Sequence, residues 1–200
     1  MDGFTFFTID AQAESEYKVL GSKFLSFAFP VSSAEEVKEK LEKCKKKYFD
    51  ATHICYAYRL GAKGEIWKAF DAGEPPHVAG DPILRQLRAK NITNVLVVAV
   101  RYFGGTKLGA GGLVSAYKTA AELALNQCKI IQRELTADIE LFFEYWQMAP
   151  VMRLQHEAGA EVISQVFETS CFACWRIGLG KLPAFEEKIK NIPVKMRIKN

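Results

Sequence analysis

Five glycines lie within nine residues in one segment of the chain, Arg101-Tyr-Phe-Gly-Gly-Thr-Lys-Leu-Gly-Ala-Gly-Gly-Leu113. The segment follows a continuous apolar run, Val95–Val100, which is typical of a buried strand, and it leads into a predicted helix over 112–127. Glycine lets a backbone approach a ligand closely. The unpaired N–H groups at a helix start attract negative charge. With two cations beside it, the segment is predicted to bind a phosphate, a carboxylate or a nucleic-acid backbone.

The residues predicted to form this anion or nucleic-acid site are Arg101, Tyr102, Gly104, Gly105, Lys107, Gly109, Gly111 and Gly112. The spacing matches neither a P-loop nor the dinucleotide-binding fingerprint. An alternative interpretation stays open, in which the glycines serve only a tight turn and close packing between strand and helix.

A second candidate is the loop predicted over 72–82 together with the acid that precedes it. Its residues Asp71, Glu74 and His77 could act as general acids or bases if they converge in a cleft. The alternative is a surface loop held rigid by its three prolines, with solvated acids.

Other chemistry has little support in the sequence. Cys171 and Cys174 are three apart in a predicted strand and so point to opposite faces. His53 and Cys55 share a strand face, but no further metal ligands are indicated. No nucleophile elbow or zinc-protease motif is present. We therefore predict no metal, no cofactor and no catalytic set, and we favour a protein that is not an enzyme.

The composition describes an ordinary globular chain. Of its 200 residues, 49% are hydrophobic and 25% charged. No apolar run approaches the roughly 20 residues of a membrane span, and Met1–Thr5 lacks the features of a secretory signal. The five cysteines are scattered and suggest no disulfide framework. A cytoplasmic protein without membrane contact is the expectation.

The elements that must position these residues divide into an α+β protein of two domains, 1–133 and 134–200. The second domain has the order β-α-β-β-α-β, which is the ferredoxin-like order. In the first, we predict a strand over 19–31, a helix over 33–48, a hairpin across Gly61–Gly64 and a helix over 83–90. The first domain has 19 Lys and Arg against 14 Asp and Glu, a balance of +5, and the second has 8 against 9, a balance of −1. Attraction to an anion therefore belongs to the first domain.

The glycine segment, extended to Tyr117, resembles the signature of the IMPACT/YigZ family. Three other stretches resemble that family as well, namely Gly21–Phe24, Ala51–Tyr58 and Asp71–Pro82. The second domain is similar to the additional domain of the bacterial YigZ branch. The last of the three stretches departs from the family's usual pattern, because Ala72 replaces a second acid and Pro76-His77-Val78 replace Ser-Gly-Thr.

The resemblance implies a fold for each domain and a link to translation. The first domain would have the left-handed β-α-β fold of a ribosomal-protein domain and of elongation factor G domain four. The second would resemble the ferredoxin-like fifth domain of that factor. Eukaryotic IMPACT proteins regulate translation by competing for a partner of an amino-acid-starvation kinase, and nucleic-acid or ribosome binding has been proposed for bacterial members by fold analogy.

Three hypotheses for function follow. The leading one is a cytoplasmic, translation-linked regulatory or binding protein that contacts RNA or the ribosome through the glycine-rich segment. The second is an enzyme that acts on a small phosphorylated or carboxylated substrate, with Asp71, Glu74 or His77 as acid or base. The third is a protein-interaction module, whose partner would be a translation-associated protein.

Overall fold

The structure is a computed structural model that describes residues 4–199. Residues 1–3, which form part of the stretch considered above for a secretory signal, lie outside the described residues. Among the helices described, none is both long and apolar enough to cross a membrane. The chain divides into two compact units: an N-terminal unit, Phe6–Arg133, and a C-terminal unit, which consists of the described residues 4–5 and 134–199. The fold class is α+β.

Within the described residues, the strands are β1 (Thr5–Ile9), β2 (Ala13–Val19), β3 (Ser22–Pro30), β4 (His53–Leu60), β5 (Ile66–Phe70), β6 (Val95–Tyr102), β7 (Ile130–Glu134), β8 (Thr136–Glu144), β9 (Glu161–Val166), β10 (Ser170–Gly178) and β11 (Lys195–Lys199). The α-helices are α1 (Ala34–Lys47), α2 (Gly80–Ala89), α3 (Gly109–Asn126), α4 (Met148–Ala158) and α5 (Leu182–Ile189), and a short 3-10 helix spans Tyr145–Gln147.

The N-terminal unit is built on a five-stranded sheet with the strand order β2-β3-β6-β4-β5, in which neighbours pair antiparallel. Strand β6 lies at its centre and is buried on both faces, which explains its continuous apolar sequence. Because side chains alternate along a strand, Val95 and Val97 pack against the core of α2 and α3, while Leu96 and Val98 pack in the second core with α1.

Three predicted elements of this unit have different bounds. The helix predicted over 83–90 is α2, which begins at Gly80 because the Asp71 carboxylate accepts hydrogen bonds from Ala79 N–H and Gly80 N–H. The strand predicted over 19–31 is β3 and begins only at Ser22, since Leu20 and Gly21 both have positive φ, 45° and 76°, and turn the chain from β2 into β3. Strands β1, β2 and β7 are not among the predicted elements. The third helix begins at Gly109, three residues before the predicted start, so that three of the five glycines lie in its first turn. The hairpin across Gly61–Gly64 is confirmed by the pairing of β4 with β5.

The C-terminal unit has the predicted order β-α-β-β-α-β, from β8 to β11. Its antiparallel sheet has the strand order β11-β8-β10-β9. Alternate residues of β8, Ile139, Leu141 and Phe143, enter a core that includes Val151 of α4 and Phe185 of α5. The two helices therefore cover one face of the sheet.

Candidate functional site

The side chains of β6 continue to alternate between the two faces of the sheet beyond the apolar run. Arg101 therefore lies on the face that packs against α3. Arg101 pairs in register with Phe24 of β3 and with His53 of β4, so these three side chains share one face. The Arg101 residue is only 5% exposed. A guanidinium at this depth requires a partner of opposite charge.

That partner is Glu74, from the loop that joins β5 to α2. Glu74 Oε1 accepts a hydrogen bond from Arg101 Nη1 at 2.5 Å and another from the Tyr117 hydroxyl at 2.8 Å. Its second oxygen, Oε2, lies 3.9 Å from His53 Nε2. Groups from β6, β4 and α3 thereby fix the Glu74 carboxylate over the end of the central strands.

Tyr117 and Cys55 complete a buried polar cluster beneath Glu74. The Cys55 thiol lies 3.3 Å from the Tyr117 hydroxyl and 3.0 Å from the carbonyl oxygen of Asp71. Burial raises the pKa of Cys55 to about 12 and raises the pKa of Tyr117 as well. Both groups are therefore neutral at physiological pH, and Cys55 is not an activated nucleophile.

The segment between β6 and α3 is exposed, and Lys107 lies at its middle. Among the described residues, no acid lies within ion-pair distance of Lys107. The first turn of α3 that follows has no side-chain cap and no acidic residue. Helix α1, in contrast, is capped by Ser33 and has two glutamates in its first turn. The N-terminus of α3 therefore keeps its partial positive charge available to a ligand.

The glycines of this segment serve different purposes. A Cβ on Gly104 would lie 1.8 Å from the carbonyl carbon of Gly21, so the two backbones touch and Gly104 is required for packing. Gly105 and Gly109 have positive φ, 86° and 69°, which glycine adopts without strain. Gly111 has no heavy atom within 4 Å of its would-be Cβ and no positive φ. Neither packing nor conformation therefore requires glycine at 111.

A cavity of about 350 Å³ brings the glycine segment and the acidic loop together. It is lined by Thr52, His53, Glu74, Pro75, Arg101, Phe103, Lys107, Leu108, Gly109, Ala110 and Leu113. Arg101 Nε is buried and has no hydrogen-bond partner within residues 4–199. Since Glu74 and Arg101 neutralise each other, Lys107 gives the cavity a net positive charge even when His53 is neutral.

Asp71 has a structural position outside this cavity. Its carboxylate accepts hydrogen bonds from the backbone N–H groups of His77, Ala79 and Gly80 at 2.8–3.0 Å. Burial alone would raise the pKa of Asp71, but these backbone donors outweigh it and hold the pKa below its ordinary value. The residue caps α2 from upstream, because the N-cap residue Ala79 has no side chain that could do so.

Two other predicted side chains, His77 and Tyr102, also lie away from the cavity, and the predicted Gly104, Gly105, Gly111 and Gly112 are not among its lining residues. The side chain of His77 is 80% exposed and its Nδ1 lies 2.8 Å from Asp81 Oδ2. Tyr102 follows Arg101 by one residue and so points to the opposite face, where its hydroxyl donates to Asp50 at 2.9 Å. Of the acidic loop, only Glu74 and its neighbour Pro75 line the cavity. Arg101 lines it too, but as the partner of Glu74 rather than as a free cation.

Three residues of the site, His53, Tyr117 and Thr52, are not among those predicted for it from the sequence. The shared strand face of His53 and Cys55 is visible from their spacing, but a metal is the only chemistry that the spacing suggests. The link to Glu74 depends on the fold of the loop and on the register of β4 with β6, which local patterns do not specify.

Comparison with known proteins assigns the chain to a family. The family model of the Impact N-terminal domain matches residues 20–125, just over half of the chain. This protein belongs to the IMPACT family. The match covers β3 to α3 and therefore all eleven residues that line the cavity.

Relatives in the IMPACT family extend the similarity. The chain is 39% identical over 131 residues to IMPACT family member YvyE of Bacillus subtilis, a match that covers 66% of this chain and 60% of YvyE. It is 30% identical over 172 residues to IMPACT family member YigZ of Escherichia coli, with 84% and 83% covered. A crystal structure of a hypothetical protein matches with a TM-score of 0.75 and 25% identity over 96% of both chains.

Proposed function

We propose that this IMPACT family member is a cytoplasmic, translation-linked regulatory protein that binds phosphate groups of RNA, free or in the ribosome, beside the glycine segment. Family membership supports the link to translation. The electrostatics of the cavity support the phosphate. In the same proposal, residues 1–133 form a domain with the fold of elongation factor G domain four, and residues 134–200 form a ferredoxin-like domain like the fifth domain of that factor.

The observation that carries the proposal is Gly111. Its position on the first turn of α3 is open, and nothing within the described residues explains the absence of a side chain there. An uncapped helix start beside an unpaired lysine favours a negatively charged group. A glycine at that point lets such a group reach the backbone N–H groups.

The exposed position of the segment favours a polymer as the source of that phosphate. Phe103, 47% exposed, lines the cavity next to Lys107. An exposed aromatic ring beside a cation is the combination that single-stranded nucleic acids bind, since bases stack while phosphates pair. The net positive charge of residues 1–133 also favours binding of a negatively charged polymer.

The test uses Lys107→Gln and Gly111→Ala, measured by the binding of labelled RNA at several salt concentrations. We expect Lys107→Gln to weaken binding and to flatten the slope of log affinity against log salt by roughly 0.7 to 0.9 for each phosphate that the lysine neutralises. Gly111→Ala should weaken binding while the helix becomes more stable by about 0.5–1 kcal/mol, because alanine is the better helix former. Arg101 is unsuitable for this test, because its removal leaves Glu74 buried without a partner.

The matched control is Lys118→Gln, which removes an exposed lysine further along α3. RNA binding that is equally sensitive to Lys118→Gln and to Lys107→Gln would contradict the site. Capture from extract, before and after nuclease, addresses the third hypothesis. A partner that survives nuclease and no longer binds Lys107→Gln would indicate protein recognition in place of RNA.

A second candidate function is favoured by the buried acid. Glu74, held by Tyr117 and facing His53 in a cavity of about 350 Å³, is a general acid or base beside a space suited to a small ligand. An enzyme that acts on a small phosphorylated or carboxylated substrate would use this arrangement. Thermal stabilisation by small phosphorylated compounds, abolished in Lys107→Gln, combined with no affinity for RNA, would support this function over the first.

A further inference from the structure

The C-terminal unit has a second sheet face, which its helices do not cover. Helices α4 and α5 pack on the face that carries Ile139 and Leu141. The other face carries Phe142, which is 38% exposed, and Phe172, which is half-buried. Large apolar side chains on an exposed sheet face point to a ligand or a partner that covers them.

The two phenylalanines form a pair at the centre of this face. Phe142 lies on β8 and Phe172 on β10, the two central strands of the sheet, and the residues are directly opposite each other in the register. Their ring centroids are 5.2 Å apart with an interplanar angle of 51°. Neighbouring aromatic side chains on the central strands of a four-stranded sheet are the arrangement on which the bases of single-stranded nucleic acids stack.

Two cations lie beside this pair without acidic partners. Lys195 on β11 is opposite Phe142 in the register, and the Arg197 guanidinium lies 5.7 Å from the centroid of the Phe142 ring. Within the described part of the chain, neither has an ion-pair partner. The other cations of this face are paired, Arg176 with Asp138 at 2.8 Å and Lys199 with Glu140 at 3.1 Å.

The remaining acid at this end of the face, Glu144, is also occupied. Its side chain accepts a hydrogen bond from the backbone of Gln147 and caps the 3-10 helix, while the Gln147 side chain in turn accepts from Glu144 N at 2.7 Å. Glu144 still carries one negative charge, but Lys195 and Arg197 together carry two positive charges, so the net charge next to the rings is positive. This positive charge is complementary to phosphate.

The rings and cations line a single groove. A cavity of about 560 Å³ is bordered by both phenylalanines, both cations, the acid Glu144 and the exposed Ser170. An apolar protein surface laid on this groove would bury two unpaired cations, which is costly. A nucleotide strand instead places flat bases on the rings and phosphates on Lys195 and Arg197.

We propose that this face of the C-terminal unit is a binding site for single-stranded nucleic acid, in which bases stack on Phe142 and Phe172 and phosphates pair with Lys195 and Arg197. The site does not depend on the proposed function. It consists of other residues in the other unit, and it recognises unpaired bases as well as phosphates.

The test measures binding of the full chain to a fluorescein-labelled single-stranded oligouridylate of twelve nucleotides, by fluorescence anisotropy at low salt. The double variant Phe142→Ala/Phe172→Ala should weaken binding by roughly tenfold or more, since two stacking platforms are removed. Lys195→Gln/Arg197→Gln should flatten the dependence of log affinity on log salt by roughly 0.7 for each phosphate that these cations neutralise. The same sequence as a duplex should bind less tightly than the single strand.

Matched controls separate stacking from a general change of the surface. Phe49→Ala removes a phenylalanine that is 85% exposed in the N-terminal unit, and Lys190→Gln removes an exposed lysine at the end of α5. Both should leave binding unchanged. Circular dichroism and thermal midpoints test whether each variant is folded. The variant Phe172→Tyr keeps an aromatic ring and should therefore retain binding, which separates loss of stacking from loss of folding.

A second measurement localises the bound strand and separates this site from the glycine segment. Ultraviolet cross-linking of an oligonucleotide that contains 5-iodouridine, followed by peptide mapping, should give adducts on Phe142 or Phe172, in the wild type and equally in Lys107→Gln. Three results would overturn the proposal: no oligonucleotide binding at low salt, adducts confined to residues 101–113, or binding abolished by Lys107→Gln and indifferent to both phenylalanine changes. The third would leave the proposed function intact.

Discussion

Arg101 shows how a charged side chain at the end of an apolar strand acquires a role that its type alone does not specify. Six residues of β6, Val95–Val100, are fully buried, and strand alternation then places Arg101 on the α3 face of the sheet and Tyr102 on the opposite face. The sequence predicts a cation next to the glycine segment. The structure adds that this cation is matched by Glu74 and is buried with it.

The buried ion pair between Arg101 and Glu74 should contribute to the stability of the fold. Arg101→Ala should lower the free energy of unfolding by about 3–5 kcal/mol, because a buried carboxylate is left without its partner. The double variant Arg101→Ala/Glu74→Gln should be destabilised markedly less than the sum of the single variants Arg101→Ala and Glu74→Gln. Chemical denaturation of the four proteins, combined as a double-mutant cycle, measures the coupling. Additive effects would mean that the two side chains do not depend on each other.

The loop between β5 and α2 illustrates what an element requires of its residues. Ala72 and His77 both have positive φ, 49° and 67°. At position 77 the family pattern has glycine, the residue that adopts such angles most easily. This chain therefore has a positive φ at a residue other than glycine in the loop, and Glu74 lines the cavity.

A prediction for this loop follows from the lowered pKa of Asp71. A carboxyl whose pKa is lower in the folded chain stabilises the fold above its ordinary pKa, and this contribution disappears as the pH falls through the lowered value. Asp71→Asn should therefore reduce stability at neutral pH by about 1–3 kcal/mol and make it less dependent on pH in the acidic range.

Thermal unfolding between neutral pH and about pH 2 would measure this effect. Asp10→Asn, a change at an exposed acid, serves as the control and should leave the profile unchanged. If the thermal stability of Asp71→Asn falls with decreasing pH as steeply as that of the wild type, the Asp71 carboxylate does not cap α2.

Most of the elements could be predicted from sequence, whereas the strands β1, β2 and β7 and several element ends could not. Alternation and apolar runs identify β6 and the order of the C-terminal unit, because these patterns are local. The turn at Leu20 and Gly21 is hard to predict, since the flanking residues continue a strand-like sequence on both sides. The early start of α3 is equally hard to predict, because three glycines are atypical of a helix.

At the scale of the whole molecule, the candidate site depends on contacts between distant residues. The close approach of Gly21 to Gly104 and the pair of Glu74 with Arg101 join segments that no local pattern relates. Family resemblance groups these stretches as a signature, but it does not supply their geometry. For the same reason, the roles of His53 and Tyr117 become visible only in the fold.

The segment 133–136 should resist tryptic cleavage longer than the glycine segment does. Only Leu135 separates β7 from β8, and its N–H and carbonyl groups are bonded to Phe4 O and Leu179 N, each at 2.7 Å. Trypsin should therefore cleave after Lys107, in an exposed segment, well before it cleaves after Arg133. Mass spectrometry of timed digests measures the order. Earlier cleavage after Arg133 would contradict the bonded junction.

Strands β1 and β7 form a separate two-stranded sheet, and this pairing bears on folding during synthesis. Strand β1 is synthesised before every other element of the N-terminal unit, yet its partner spans Ile130–Glu134. During synthesis, β1 can form its bridge from Phe7 to Ile92 and accept a hydrogen bond from Thr93 N–H before β7 exists, but its sheet with β7 forms only after residue 134 has left the exit tunnel. Until then, the edge of β1 that pairs with β7 is open to pairing with other strands.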